Sequence, residues 1–249
     1  MKPKAIILLF PKSTAMEAKY QRIRKIITKE LSHSHHDIEH VERVYNLCLH
    51  LAKYEPEVDL DVLKTAALLH DVARVKEFED KKGTVEHATL GAEMADEILK
   101  RLGYEEKKLA QIKHCITVHR YRRNRKPHTV EAKILFDADK LDSLGAVGIA
   151  RCFMMAGHYG QKIYSDVPIK EYLKDNVIGG KAESPLKDVS KHSPNLEFEL
   201  KFKHIPERLY TGKAKEIAKE RLGFMQGFFD RLKTEVEGDL QSREMETCQ

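Results

Sequence analysis

None of the four cysteines, Cys48, Cys115, Cys152 and Cys248, forms a C-x-x-C pair. That excludes the usual thiolate zinc clasp and predicts reduced, mostly buried thiols. The longest apolar run near the start, Ala5 to Phe10, falls far short of the ~20 residues that cross a bilayer. It is not followed by a small-residue cleavage site either, so a cytoplasmic protein without membrane contact is expected. A Gly-x-x-x-x-Gly-Lys loop is missing, which excludes a P-loop nucleotidase. Internal repeats and low-complexity tracts are absent. The strict alternation of a half-buried strand is suggested only at Leu196 to Phe202.

What remains is an ordinary globular composition. The 249 residues are 41% hydrophobic and 33% charged, enough for one large domain or two small ones. The net charge of +5 suits an anionic ligand without establishing one. Its basic excess is local, because five of the seven residues from Arg120 to Lys126 are Arg or Lys. Histidine is unevenly spread too: ten of thirteen lie between His33 and His128. Imidazole is a common metal ligand.

Helical periodicity dominates the pattern. Thr14-Ala-Met-Glu17 reads as a capping box opening a helix that runs to about Leu31. Asp37 is an expected N-cap for a second helix with Val44, Leu47, Cys48 and Leu51 on its apolar face, ended by Pro56. A third starts near Asp59 and is apolar nearly all round, so it should be central. Further helices are expected from Gly83-Thr84 to Gly103, from Glu105 to about Arg120, and as one long segment from Thr129 to about His158. From Gly160 to Pro206 the pattern is lost, and loops with short elements are expected. A last amphipathic helix opens at Thr211. The fold class is therefore all-α, with a helical core over 14–160. A less regular segment and a C-terminal helical extension, 161–249, pack on that core as a single structural unit.

The chemistry centres on His70-Asp71, placed by this reading inside the most apolar helix. A buried carboxylate without compensation costs several kcal/mol. A metal ion would compensate it, as would a salt bridge from Arg43. His40 lies four residues before Val44 and seven before Leu47, so it points inward. A lone histidine in that position is more often a satisfied core residue than a ligand. Asp139 lies on a stripe with Leu135 and Asp142. Asp137 lies about 200° away around the helix, so both cannot face one ion. Two imidazoles and two carboxylates suit Mn²⁺, Fe²⁺, Zn²⁺ or Co²⁺ better than thiol-seeking ions.

The ordered set His40, His70-Asp71, Asp139 resembles the H…HD…D signature of the HD superfamily of metal-dependent phosphohydrolases. The likeness extends over HDIEHVERV (36–44), ALLHDVAR (67–74), HATLGAE (87–93) and KPHTVEAKILFDADKLDSLGAVGIARCF (126–153). These runs resemble a subgroup of small bacterial and archaeal HD-domain hydrolases. Thr211, Ala218, Arg221, Phe224-Met225 and Phe228-Phe229 resemble that subgroup's C-terminal helix. The resemblance implies an HD-domain helical bundle holding one divalent ion through His40, His70, Asp71 and Asp139, and it selects Asp139 over Asp137. Mn²⁺ is the first expectation; Fe²⁺, Zn²⁺, Co²⁺, Ni²⁺ or Mg²⁺ are alternatives.

The implied reaction is hydrolysis of a phosphoric ester or anhydride, foremost of a nucleotide, by metal-activated water. Asp71 would orient that water. His119 or His87 would assist proton transfer to the leaving oxygen, a role preferred here to a second metal site. Arg74, Lys140, Arg120 and Arg123 are candidate phosphate-binding residues. Asp142 is a candidate acceptor behind a ligand histidine. A small phosphorylated substrate is the expected partner, and a homodimer is left open. Two rivals are kept. One is an HD-type di-iron oxygenase using His87 and His119 as extra ligands. The other is a nucleic-acid-binding module on the 120–126 loop, which Tyr121, as its lone aromatic, makes a poor stacking platform.

Overall fold

The computed structural model describes residues 15–31, 38–120, 125–182 and 184–238. Eleven α-helices run through these segments, with no strand among the described residues beyond one isolated bridge between Val177 and Leu186. The expected cap at Asp37 and the Thr14 capping box lie outside the described residues, as does Cys248.

Helix α1 (Ala15–Glu30) buries Tyr20, Ile23 and Ile27, one stripe at helical spacing, with Leu31 just beyond its end. α2 (Ile38–Leu51) buries His40, Val41, Val44, Tyr45, Cys48 and Leu51. α3 (Leu60–Leu69) opens where Asp59 accepts from the backbone N–H groups of Asp61 and Val62, and it is the buried centre of the bundle. α5 (His87–Arg101) and α6 (Glu106–Val118) lie along each other. Their close approach is made through small residues: a methyl group at Gly91 would already touch Ile116 and the carbonyl of His70.

Four expectations need correction. His70-Asp71 is not inside α3; that helix stops at Leu69, with His70 as its C-cap, and a tight turn carries the pair before the short α4 (Arg74–Glu79). The break frees both side chains to point at the same place, which adjacent positions on a regular helix cannot do. The next helix opens at His87, because the Asp80 carboxylate accepts from the backbone of Lys82, Thr84 and Val85 and holds 80–85 as a turn. The long segment from Thr129 is two helices, α7 (Val130–Leu141) and α8 (Gly145–His158). Gly145 adopts φ +76° at the joint, and a methyl group at Gly148 would come within 2.1 Å of the Ser143 carbonyl oxygen. Leu196–Phe202 is helical, not a strand: α10 (Pro194–Leu200) starts with Pro194 in its first turn and continues into a 3₁₀ turn at Phe202–His204.

Gly148→Ala is therefore expected to destabilise the protein by about 1–3 kcal/mol, read as a lower midpoint in thermal or urea unfolding. A wild-type midpoint would mean that the α7–α8 joint is not held by this close approach.

The irregular segment contains α9 (Ile169–Asn176); its Tyr172 and the extended Val177 that follows it form a small core with Leu196 and Leu200. α11 (Gly212–Glu237) begins where Thr211 caps it and ends at Gly238 in the left-handed conformation. Phe198, Phe202, Ala218, Met225 and Phe229 join the same hydrophobic core as α1–α8.

Candidate metal centre

Five buried side chains meet where helices end. His40 comes from α2, His70 and Asp71 from the turn after α3, His87 from the first residue of α5, and His119 from the C-cap of α6. Asp71 is the common member. His40, His70 and Asp71 offer ligand atoms all within 4.8 Å of one another, and so do Asp71, His87 and His119. On one side, His40 Nε2 is 3.3 Å from His70 Nε2 and 3.6 Å from Asp71 Oδ2. Asp139 on α7 joins this side, with Oδ1 3.4 Å from His40 Nε2. On the other, His87 Nε2 is 3.2 Å from His119 Nε2 and 3.3 Å from Asp71 Oδ1.

The far nitrogens decide what these atoms can do. His70 Nδ1 lies 2.8 Å from the Ala67 carbonyl oxygen and His119 Nδ1 lies 2.6 Å from that of Ile116. A carbonyl only accepts, so both Nδ1 atoms carry the proton. His40 Nδ1 meets Asp142 Oδ2 at 2.7 Å, and His87 Nδ1 meets Glu77 Oε2 at 2.8 Å. A carboxylate acceptor favours the same tautomer. Four Nε2 lone pairs, both oxygens of Asp71 and Oδ1 of Asp139 thus face inward, all of them acceptors. Acceptors packed this closely repel unless positive charge lies among them. The donor set, neutral imidazoles with carboxylates and their outer nitrogens held by hydrogen bonds, fits a divalent cation.

Electrostatics agree in direction. Burial alone would raise the Asp71 carboxyl, yet the imidazoles of His70, His119 and His40 hold it well below the usual range. For Asp139, burial is likewise outweighed, by Lys140 and then His40. Burial pushes His70 down to about 4. At His40 burial works against the charged ring, but Asp139, Asp142 and Asp71 win and raise it to about 9. The His40 ring thus holds a second proton at neutral pH, and that proton puts positive charge among the inward acceptors. Because the folded value lies above the ordinary 6.5, this proton stabilises the cation-free fold fully below pH 6.5. That stabilisation is lost as the pH rises through about 9. The chelated protein should therefore lose thermal stability across that window, and added Mn²⁺ should stabilise it increasingly as the pH rises. Equal stabilisation by Mn²⁺ at pH 6 and pH 9 would count against proton–cation competition at His40.

The other sequence candidates fall as follows. Asp142 accepts from His40, from Arg43 Nε at 2.7 Å and from Arg151 at 2.6 Å. Arg43, the suggested partner of Asp71, thus bonds to Asp142 instead. Lys140 turns its ammonium to Asp139 Oδ2 at 2.6 Å. Arg74 and Arg120 both reach Glu77, at 2.8 Å and 2.5 Å. Arg123 lies outside the described residues. Asp137 faces away from the centre and accepts from the backbone N–H groups of Tyr210 and Thr211 and from the Thr211 hydroxyl. Glu77 and Arg151 went unnoticed in the sequence. Glu77 lies in α4, a helix too short for periodicity to reveal, and Arg151 lies beyond the unforeseen α7–α8 joint. Cys48 and Cys115 are buried free thiols, as the composition predicted, and belong to neither ligand cluster; Cys152 is half-buried.

Helices that end around a cluster of inward imidazoles and carboxylates define an all-helical protein built to hold a divalent metal. Residues 37–144 match the HD domain family. YpgQ of Bacillus subtilis is 30% identical over 220 residues, covering 87% of this chain and 91% of YpgQ. The crystal structure of that protein in complex with ADP is similar in fold, with a TM-score of 0.65 and 26% identity over 89% of this chain and 97% of the other. An HD-superfamily hydrolase from Bacillus thuringiensis gives 0.66 and 25% over 89% and 98%. One from an uncultured Thermotogales bacterium gives 0.59 and 27% over 87% and 92%. The chain belongs to the HD superfamily of metal-dependent phosphohydrolases. None of its helices among the described residues is long and apolar enough to cross a membrane.

Proposed function

We propose that this protein hydrolyses a phosphoric ester or anhydride of a nucleotide, with a divalent cation, Mn²⁺ in the first instance, held by His40, His70, Asp71 and Asp139. The observation that carries this reading is the inward set of Nε2 lone pairs around the two carboxylates, each fixed by a hydrogen bond on the outer nitrogen. When bound, such a cation supplies Lewis-acid activation of water and offsets charge on a phosphoryl oxygen. The nucleotide part rests on likeness to YpgQ, whose structure contains ADP.

The residues then divide the work. Asp71 and Asp139 set the negative charge of the centre and accept a proton-bearing water's hydrogen bonds. Lys140 holds the outer oxygen of Asp139, leaving Oδ1 turned inward. Arg74 and Arg120, a few ångströms beyond His87, offer guanidinium N–H groups to phosphate oxygens. His119 has its Nδ1 proton tied to Ile116, so its Nε2 lone pair first takes a proton from the attacking water and then passes that proton to the departing oxygen. A second reading is favoured by one observation. Asp71 Oδ1 with the lone pairs of His87 and His119 repeats the first cluster, so a second cation can sit there in place of the acid role.

The test is a nucleotide panel with added Mn²⁺, followed by phosphate and pyrophosphate release, with metal per chain determined on the same sample. Mn²⁺-stimulated release from a nucleotide supports the reading. One cation per chain favours His119 as acid, and two favour the second site. No hydrolysis of any nucleotide by metal-loaded protein would remove the nucleotide assignment.

A further inference from the structure

We propose that Glu77 is a positioning residue for the His87 side of the centre, fixing the proton of His87 on Nδ1 so that the nitrogen facing Asp71 is a lone pair. This rests on the cation-centred reading above. The centre is supported in two matching ways. His70 and His119, each at a helix C-cap, donate a hydrogen bond from Nδ1–H to the carbonyl three residues earlier. His40 and His87 donate theirs to carboxylates, Asp142 and Glu77. Each of those carboxylates is in turn held by two guanidinium groups: Arg43 and Arg151 on Asp142, Arg74 and Arg120 on Glu77. Glu77 therefore stands to His87 as Asp142 stands to His40.

The need for Glu77 is sharper than the need for Asp142. Arg74 Nη1 and Arg120 Nη1 lie 2.9 Å and 3.1 Å from His87 Nδ1. A guanidinium only donates, so these two groups favour a lone pair on Nδ1 and the proton on Nε2. That tautomer would aim an N–H at Asp71 Oδ1, 3.3 Å away, and take one lone pair out of the centre. Glu77 Oε2 at 2.8 Å opposes them by accepting a hydrogen bond from Nδ1–H while drawing both guanidinium groups onto its own oxygens. One carboxylate thus fixes the tautomer of His87 and the positions of Arg74 and Arg120.

The test reads the ring nitrogens of His87 by long-range ¹H–¹⁵N correlation in the full chain, metal-free and Zn²⁺-loaded. Wild-type protein should carry the proton on Nδ1 in both. Glu77→Ala should move it to Nε2 and lower kcat by about 10–100-fold, the range for losing such a support. Glu77→Gln, which keeps an acceptor oxygen, should retain the Nδ1 proton and lose less. A wild-type protein with the proton on Nε2 overturns the proposal even if no variant folds. So does Glu77→Ala with the wild-type tautomer and kcat. Failure of the underlying reading looks different, because the wild type itself would then take up no Zn²⁺.

Discussion

Replacing Asp71 by alanine is expected to abolish divalent-cation uptake and phosphohydrolysis together. Asp71 is the one side chain that belongs to both ligand clusters, with Oδ2 towards His40 and His70 and Oδ1 towards His87 and His119. Without it, Asp139 is the one inward carboxylate left beside four imidazoles, too little negative charge to offset the burial of a dication. Turnover should fall by at least about three orders of magnitude, roughly 4 kcal/mol of transition-state stabilisation. Circular dichroism should stay helical, since the carboxylate makes no backbone contact that the helices need. Cation-stimulated hydrolysis surviving in Asp71→Ala would mean that the chemistry is elsewhere.

The second large effect separates two aspartates two residues apart. Asp139→Ala should leave the fold intact and weaken cation binding and turnover. Asp137→Ala should do the reverse. Asp137 is fully buried, and burial raises its carboxyl while the donors from Tyr210 and Thr211 hold that rise back. Truncating it strands those donors at the start of α11, a cost on the order of 3 kcal/mol, or roughly 6–12 °C in Tm for a chain of this size. Cation affinity in the folded fraction should stay near the wild-type value. Thermal unfolding and a metal titration on both variants read the two outcomes. An Asp137→Ala protein that is stable but cannot bind metal would exchange the roles of the two residues.

That pair also marks how far the sequence could be read. Helical phase alone established that Asp137 and Asp139 point to different sides, because 100° per residue allows nothing else. Which side faces the centre depends on where the 206–211 segment returns, and that is a long-range fact absent from local spacing. His40 could be placed inward from Val44 and Leu47 by the same phase rule. The bundle was legible wherever a helix had a full apolar stripe and a cap, as at Asp59 and Thr211. It was illegible where tertiary contacts end helices early. The turn at 70–73 that aims His70 and Asp71 together, the joint at Gly145, and α10 in place of a strand are all of this kind. Glu77 stayed hidden because its role depends on α4 folding back beside His87, with a turn of Asp80-centred hydrogen bonds in between.

The most direct measurement is the metal content of the folded chain, purified without chelator and analysed by elemental spectrometry beside Asp71→Ala. At least one divalent cation per wild-type chain, none in the variant, and loss of wild-type hydrolysis on chelation with recovery on adding Mn²⁺ are the expected results. A folded wild-type protein that hydrolyses nucleotides at full rate with no divalent cation would contradict a centre built from His40, His70, Asp71 and Asp139.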